Sequence, residues 1–283
     1  LIIFSMKRIF KVILMVLFTC FSFYYTDRIV EFSKSKDPIM QKINEYKESE
    51  EVALVNGVLS KDTMLVGSNG YSIDVDSSYE KMKKLNSFNA NLLEYLEVVP
   101  EIRKEDNLDK LIEGKNTSSK IISFIFVIED IAKLDEIAYI LENNDVFATF
   151  FMDGVLIENN LKTINTYFNS GNSLGLYGYN FKYDSVSIKY INGVIERNIT
   201  NYSNYCLYKN KEFLDSCVYL KYNTIQPIDI DKNLYEYMKN NKKNGYIYNI
   251  KVNDLNIREL NSTIVYLKQK GYDIVDLSVL LKE

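Results

Sequence analysis

The chain has 283 residues, 47% of them hydrophobic, with a net charge of −4 and a pI near 5.3. That is enough apolar material for one barrel-sized domain plus a smaller module, and the acidic balance argues against a nucleic-acid surface. Histidine is absent, and the three cysteines form no CxxC or Cys/His cluster, so no zinc signature is present.

In chain order, the first feature is hydrophobic. Met6 reads as the start, with five residues of upstream extension before it. Met6-Lys7-Arg8 and Lys11 make a basic flank, and Val12 to Tyr25 is an apolar segment that reaches the roughly 20 residues of a membrane span only with Ile9 and Phe10. No small-x-small cleavage site follows. Residues 1–26 therefore read as an uncleaved signal anchor rather than a cleaved signal peptide, with the N-terminus cytoplasmic and the bulk of the chain outside. Phe18-Thr19 before Cys20 fits a lipoprotein anchor poorly, so Cys20 reads as a membrane-buried cysteine.

Residues 27–51 are charged and helix-compatible, with Ile39, Ile43 and Tyr46 on one stripe, which suggests a helical stalk. Residues 52–102 read as a small α+β module. Asn56-Gly57 and Asn69-Gly70 are turn signals beside the β-prone runs Val52 to Val55 and Met64 to Val66. Ser77 and Ser78 are candidate caps for a helix through Leu85, and Leu92 to Val99 is a strand stopped by Pro100. No chemical motif marks this module, which fits a spacer or docking role. Residues 103–119 are polar and read as a linker.

From residue 120 to 283 strands and helices alternate. Ile121 to Ile128, an apolar and β-branched run but for Ser123, suits a strand buried on both faces. Leu134, Ile137, Ala138 and Leu141 place one apolar stripe on a helix, Val146 to Phe151 is a second strand, and Ile157, Leu161, Ile164 and Phe168 form a second stripe capped at Gly171. Ser173 to Tyr177 returns to strand. Beyond it come a helix through Ile188, Ile191 and Ile195, a strand at Tyr205 to Tyr208, and a helix at Phe213, Leu214 and Val218. Strands at Thr224 to Ile228 and Tyr246 to Ile250 follow, then a helix through Ile257, Leu260, Ile264 and Leu267 ended by Gly271. Asp273 to Val275 and Leu277 to Leu281 close the chain. The fold class is α/β, a (β/α) barrel of about seven strand-helix repeats preceded by a membrane anchor and the small module. No glycine-rich phosphate loop follows the first strand, which argues against a dinucleotide-binding sheet.

Val146-Phe147-Ala148-Thr149-Phe150-Phe151, then Gly154, then Ser170-Gly171-Asn172-Ser173-Leu174-Gly175, resembles the "vkATFFv.G … eGHEIG" core of polysaccharide deacetylases, the NodB-homology domain. Gly245-Tyr246-Ile247-Tyr248 followed by Tyr266-Leu267-Lys268-Gln269-Lys270-Gly271-Tyr272-Asp273 is similar to the family's closing "GsIiLlH … yLkekGYkf". The resemblance implies a site at the C-terminal ends of the strands. There an aspartate acts as general base, and a second aspartate with two histidines holds a divalent metal whose bound water attacks an acetamide carbonyl. It places Val127 and Ile128 at the two aspartates, Tyr177 and Phe181 at the histidines, and Lys251 near the terminal catalytic histidine. The family's "RpPyG" stretch falls on Tyr205-Cys206-Leu207-Tyr208-Lys209, which keeps a tyrosine and lacks the arginine.

No catalytic residue and no metal or other cofactor is therefore expected. Residual acids are Glu129, Asp130, Asp229 and Asp231, with Asp153 and Asp184 in similar loops. Carboxylates alone suit magnesium or calcium and make a poor zinc site, and each acid reads equally as a solvated loop residue or helix cap. Tyr177, Tyr179, Phe181, Tyr183, Tyr205 and Tyr208 are expected at one rim, where aromatic faces suit sugar rings or simply fill vacated space. Cys206 and Cys217 are either bonded or free and buried. The resulting expectation is a single-pass, extracytoplasmic, deacetylase-like protein without catalysis that binds cell-envelope glycan or a protein partner, and no nucleic acid. An active N-deacetylase built on the residual carboxylates and a purely structural envelope protein are the alternatives.

Overall fold

A computed structural model describes residues 2–168 and 171–283, with side chains from residue 11 onward except at 12 and 27. Ser170 of the family-like turn and the side chains of Met6, Lys7, Arg8, Ile9, Phe10 and Val12 thus lie outside the described residues. The elements begin with α1 (Ile2–Ser35), α2 (Pro38–Glu50), β1 (Val58–Leu59), β2 (Thr63–Val66), β3 (Gly70–Asp74), α3 (Val75–Leu85), β4 (Glu94–Val98) and β5 (Leu111–Lys115). Then come β6 (Ile121–Ile128), α4 (Ile131–Asn143), β7 (Thr149–Asp153), α5 (Gly154–Asn159), α6 (Leu161–Phe168), β8 (Ser173–Gly178), α7 (Ser185–Asn198) and β9 (Tyr202–Leu207). The chain finishes with α8 (Lys211–Tyr219), β10 (Asn223–Ile225), β11 (Ile228–Ile230), α9 (Leu234–Asn241), β12 (Ile247–Ile250), α10 (Asp254–Gln269), β13 (Asp273–Ile274) and α11 (Leu277–Leu280).

Two units form. The smaller comprises the residues up to Ala53 together with Gly70–Val98. Within α1, Ile13–Ser35 is an exposed stretch of 23 residues, long and apolar enough to cross a membrane by length and composition. Asp37 caps α2 by accepting from the Ile39 N–H at 2.9 Å, with Pro38 in the first helical turn. Ile39, Met40 and Ile43 of α2 are buried with Ile73, Tyr79, Met82 and Leu93, so the stretch expected as a stalk is part of a small core. The cap of α3 is Asp74, not Ser77 or Ser78. Asp74 accepts from the Ser77 N–H at 3.0 Å and from its hydroxyl, so the helix starts three residues earlier than the serines suggest. β3 and β4 pair antiparallel.

The larger unit takes Leu54–Asn69 and Val99–Glu283. The stretch read as one module over residues 52–102 is thereby divided, because β1 and β2 join the large sheet while β3 and β4 do not. The expected linker also contains a strand. β5 pairs in parallel with β2 and β10, and its Leu111 and Ile112 are buried. Only two apolar residues in Leu-Ile-Glu-Gly-Lys made that strand hard to see. Among the described residues eleven strands enter the sheet, in the order β1-β2-β5-β10-β9-β8-β7-β6-β12-β11 with β13 on β6; eight of them, β6 to β13, come from residues 120–283, close to the seven or so expected there, and β1, β2 and β5 join from earlier in the chain. All pairs from β2 to β11 are parallel. Across the path, an isolated bridge between Gly114 and Tyr246 and a 2.8 Å bond from Lys115 N–H to the Gly245 carbonyl link β5 to the start of β12. A Cβ at Gly114 would stand 2.2 Å from that carbonyl, so glycine is required there.

The stripes of α4, α7 and α10 pack on the sheet as their spacing predicts, burying Leu134, Ile191 and Ile264 among others. Two elements differ from expectation. The helix over residues 157–168 is two helices meeting at Asn160, and α9 went unread because it buries only Leu234 and Met238. At the start of the strands, buried Asp276 caps α11 through Ser278 N–H at 2.7 Å. It also accepts from the hydroxyls of buried Thr149, at 2.7 Å, and Ser173. Asp276→Ala strips these hydroxyls of their acceptor in a dry site, and the expected cost is about 2–4 kcal/mol, read as a lowered urea midpoint with an unchanged m-value.

Candidate functional site

The C-terminal ends of β6, β8, β9, β11 and β12 surround two adjoining clefts, of ≈ 520 Å³ and ≈ 460 Å³, that share Glu129 and Tyr177. The larger is lined by Val127, Glu129, Asp130, Lys133, Tyr177, Lys209, Asp229, Asp231, Asn249 and Lys251, and the smaller, more apolar one by Ile128, Val155, Leu156, Phe181 and Tyr183.

Val127 and Ile128 end β6 at the place the resemblance gives to two aspartates. Val127 is half-buried against the larger cleft, and Ile128 is buried. Tyr177, at the place of the first metal histidine, meets Tyr183 edge to face with centroids 5.8 Å apart. Lys209 Nζ lies over the Tyr177 ring, 4.2 Å from its centroid, and 5.9 Å from that of Tyr183. Burial raises the Tyr177 phenol, and burial together with its hydrogen bond with Tyr177 pushes Tyr183 up to about 12. Burial lowers the Lys209 ammonium, against smaller upward pulls from Tyr183, Asp229 and Glu129.

The acids at the mouth are mostly committed. Asp130 caps α4 through Ala132 N–H at 3.0 Å, and Asp184 caps α7. Asp229 accepts from Asn249 Nδ2 at 2.7 Å, while Asp231 faces Lys251 at 3.6 Å. Behind them buried Asn256 donates through Nδ2 to the carbonyls of Ile230, Asp231 and Lys251 at 3.2, 3.3 and 3.0 Å, tying the ends of β11 and β12 together. Lys133 bonds Asp254 at 2.8 Å and Glu136 at 3.2 Å. Among the described residues, no three Asp, Glu or Cys side chains stand close enough to share a metal ion.

Asp153 serves the backbone. It caps α5 through Val155 N–H and accepts from Asn180 N–H at 3.0 Å and Phe181 N–H at 2.8 Å. Both of those residues are left-handed, with φ of 51° and 55°, so the carboxylate offsets a conformation that side chains disfavour. Phe181 is thereby held 71% exposed at the smaller cleft.

The expected aromatic rim is only partly assembled. Tyr177, Phe181 and Tyr183 line the clefts, but Tyr205 is buried in the core with Ile125 and Phe151, because its position on β9 points into the sheet interior. Tyr179 donates to Glu158 at 2.9 Å, a bond that pushes its phenol up to about 12, and meets Tyr190 edge to face. Tyr208 is half-buried and lines neither cleft. Lys209 and Asn249 went unselected as functional residues, although each falls inside a family-like motif. Cys206 and Cys217 are joined in a disulfide that ties β9 to α8.

No family model matches the chain. The uncharacterized protein YlxY of Bacillus subtilis is 28% identical over 156 residues, 53% of this chain, and the match spans about half, 48%, of that protein. Among solved structures, BA3943 of Bacillus anthracis, described as a CE4 family pseudoenzyme, matches with a TM-score of 0.67 at 22% identity, over 88% of this chain and 96% of that one. Bacillus subtilis PdaA, a family 4 carbohydrate esterase, matches with a TM-score of 0.55 at 18% identity, over 63% of this chain and 87% of that one. The fold is that of the CE4 polysaccharide deacetylases. Within the CE4 fold, the same strand ends that the sequence resemblance singled out form the walls of the larger cleft.

Two outcomes follow for the mouth. Asp153→Ala is expected to speed amide exchange at Asn180 and Phe181 by about tenfold or more relative to the core strands, since their shared acceptor is gone. In a spectrophotometric titration, Tyr183→Phe is expected to remove one phenol from the group ionising near pH 12 and none from the group near pH 10.

Proposed function

We propose that this protein is a membrane-anchored, extracytoplasmic member of the CE4-fold proteins that binds cell-envelope glycan at the mouth of its larger unit and does not hydrolyse acetamides. One observation carries the reading: β6 ends in Val127 and Ile128, side chains that can neither ligate a metal nor accept a proton, and Tyr177 shares the larger cleft with Val127 and the smaller with Ile128. Of the acids that remain, Asp130, Asp229 and Asp231 are occupied by a helix cap, an asparagine and a lysine, and they do not converge with exposed Glu129 into a cluster of three, which weighs against a substitute carboxylate site. Both a carbohydrate esterase and a pseudoenzyme share the fold, and a mutant of BA3943 is described as having restored enzymatic activity, so the scaffold supports either state and the residues at the mouth decide between them.

Anchoring rests on α1, and an oxidising compartment suits the Cys206–Cys217 disulfide. The smaller unit contributes a spacer or docking role for a protein partner, for which the exposed Tyr95, Leu96 and Val98 on β4 are the contact residues.

The test uses the full chain in detergent micelles. With zinc, cobalt, magnesium or calcium supplied, acetate release from N-acetylglucosamine oligomers is expected to stay at background. Insoluble peptidoglycan is expected to retain the protein, and Tyr177→Ala to weaken retention by about three- to tenfold, the worth of one aromatic contact. Acetate release that disappears in Glu129→Gln or Asp130→Asn would overturn the non-catalytic reading, and absence of retention would leave the structural role in its place.

A further inference from the structure

Lys209 is held by its neighbours on both sides. The Tyr208 N–H donates to the Ile225 carbonyl at 3.0 Å, and Asn210 caps α8 by accepting from the Phe213 N–H at 2.8 Å. The Cys206–Cys217 disulfide, buried, closes the same strand-helix junction. The lysine therefore projects from a fixed backbone, and its side chain is half-buried between the larger cleft and the faces of Tyr177 and Tyr183.

Its charge lacks a counterion. Of the three lysines lining the larger cleft, Lys133 is paired with Asp254 and Glu136 and Lys251 with Asp231, whereas Lys209 has no carboxylate within 4.0 Å among the described residues. The acids nearest to its field do not fill the role. Asp229 is bonded to Asn249, and both Asp229 and Glu129 are exposed, so their interaction with Lys209 runs through water and is weak. A partly desolvated cation without a partner is costly, and a ligand that brings an anion to it recovers that cost. Lys209 also covers a face of Tyr177, so a neutral sugar ring stacks there only by displacing it. On these grounds we infer that the glycan held at the mouth is acidic, with a carboxylate or phosphate substituent that meets Lys209 Nζ beside Tyr177. The inference rests on the glycan-binding reading and names the ligand class for that same site.

Three oligomers of one length test it by calorimetric titration of the full chain in detergent micelles: a neutral N-acetylglucosamine oligomer, the same oligomer oxidised to carboxylate at C6, and the same oligomer phosphorylated there. At least one acidic oligomer is expected to bind about tenfold tighter than the neutral one, about 1.4 kcal/mol, and which of the two does so identifies the group. Lys209→Gln is expected to bring acidic and neutral affinities together, Lys209→Arg to keep the preference, and Lys239→Gln, at an exposed lysine of α9 that lines neither cleft, to leave it within about twofold. Equal binding of all three oligomers to the unaltered protein, or a preference that survives Lys209→Gln, overturns the acidic-ligand inference while glycan binding stands. Binding of none overturns both.

Discussion

A strand enclosed by layers on both faces has little room for charge, and β6 sets that condition for the larger unit. It pairs with β12 on one side and with β7 and β13 on the other, and six of its eight residues are buried. From Phe124 its apolar run continues without interruption to the rim, so Val127 and Ile128 extend the core to the C-terminal end of the strand, beside the clefts. A carboxylate at the last two positions of such a strand needs a metal or a cation to be tolerated, whereas Val127 and Ile128 settle these positions by packing alone.

The mouth shows the same settlement in its polar groups. Caps, an asparagine and one lysine pair absorb most of the acids that line it, and Lys133 is paired with Asp254 beyond the rim, which leaves a surface of balanced local charges around one shielded lysine. Asp153 belongs to this pattern as well. A carboxylate beside a cleft invites a chemical reading, yet its oxygens are spent on three backbone N–H groups that keep Asn180 and Phe181 left-handed.

The fold was legible in the sequence where periodicity was strong. Ile121 to Ile128 and the stripes of α4, α7 and α10 are in place because their apolar spacing leaves one way to bury them. What the sequence hid was non-local. β5 has two apolar residues and gains its place from β2 and β10, which lie on either side of it from distant parts of the chain. α2 reads as a charged stalk because its buried stripe is only Ile39, Met40 and Ile43. At the mouth, Val127, Ile128 and Tyr177 line the clefts as strand-end residues, strand phase decides that Tyr205 points inward, and the absence of a carboxylate within 4.0 Å of Lys209 among the described residues shows only in the folded chain. Pairing of charges depends on distances across five strand ends, which no spacing along the chain encodes.

Asn256 has a consequence for how the molecule resists assembly with itself. β11 is a three-residue edge strand with a neighbour on one side only among the described residues, the sort of edge that recruits foreign strands. By binding the carbonyls of Ile230, Asp231 and Lys251 from beneath, Asn256 keeps that edge from peeling away, while exposed Asp229 at its centre repels an incoming chain. An aspartate at 256 would set a charge against three carbonyl oxygens, and a leucine would take a donor from each, leaving Ile230 with the Lys251 N–H and Asp231 with the Asn253 amide. An amide at this position thus does for the β11 edge what a further strand does elsewhere in the sheet, holding it against the body of the larger unit.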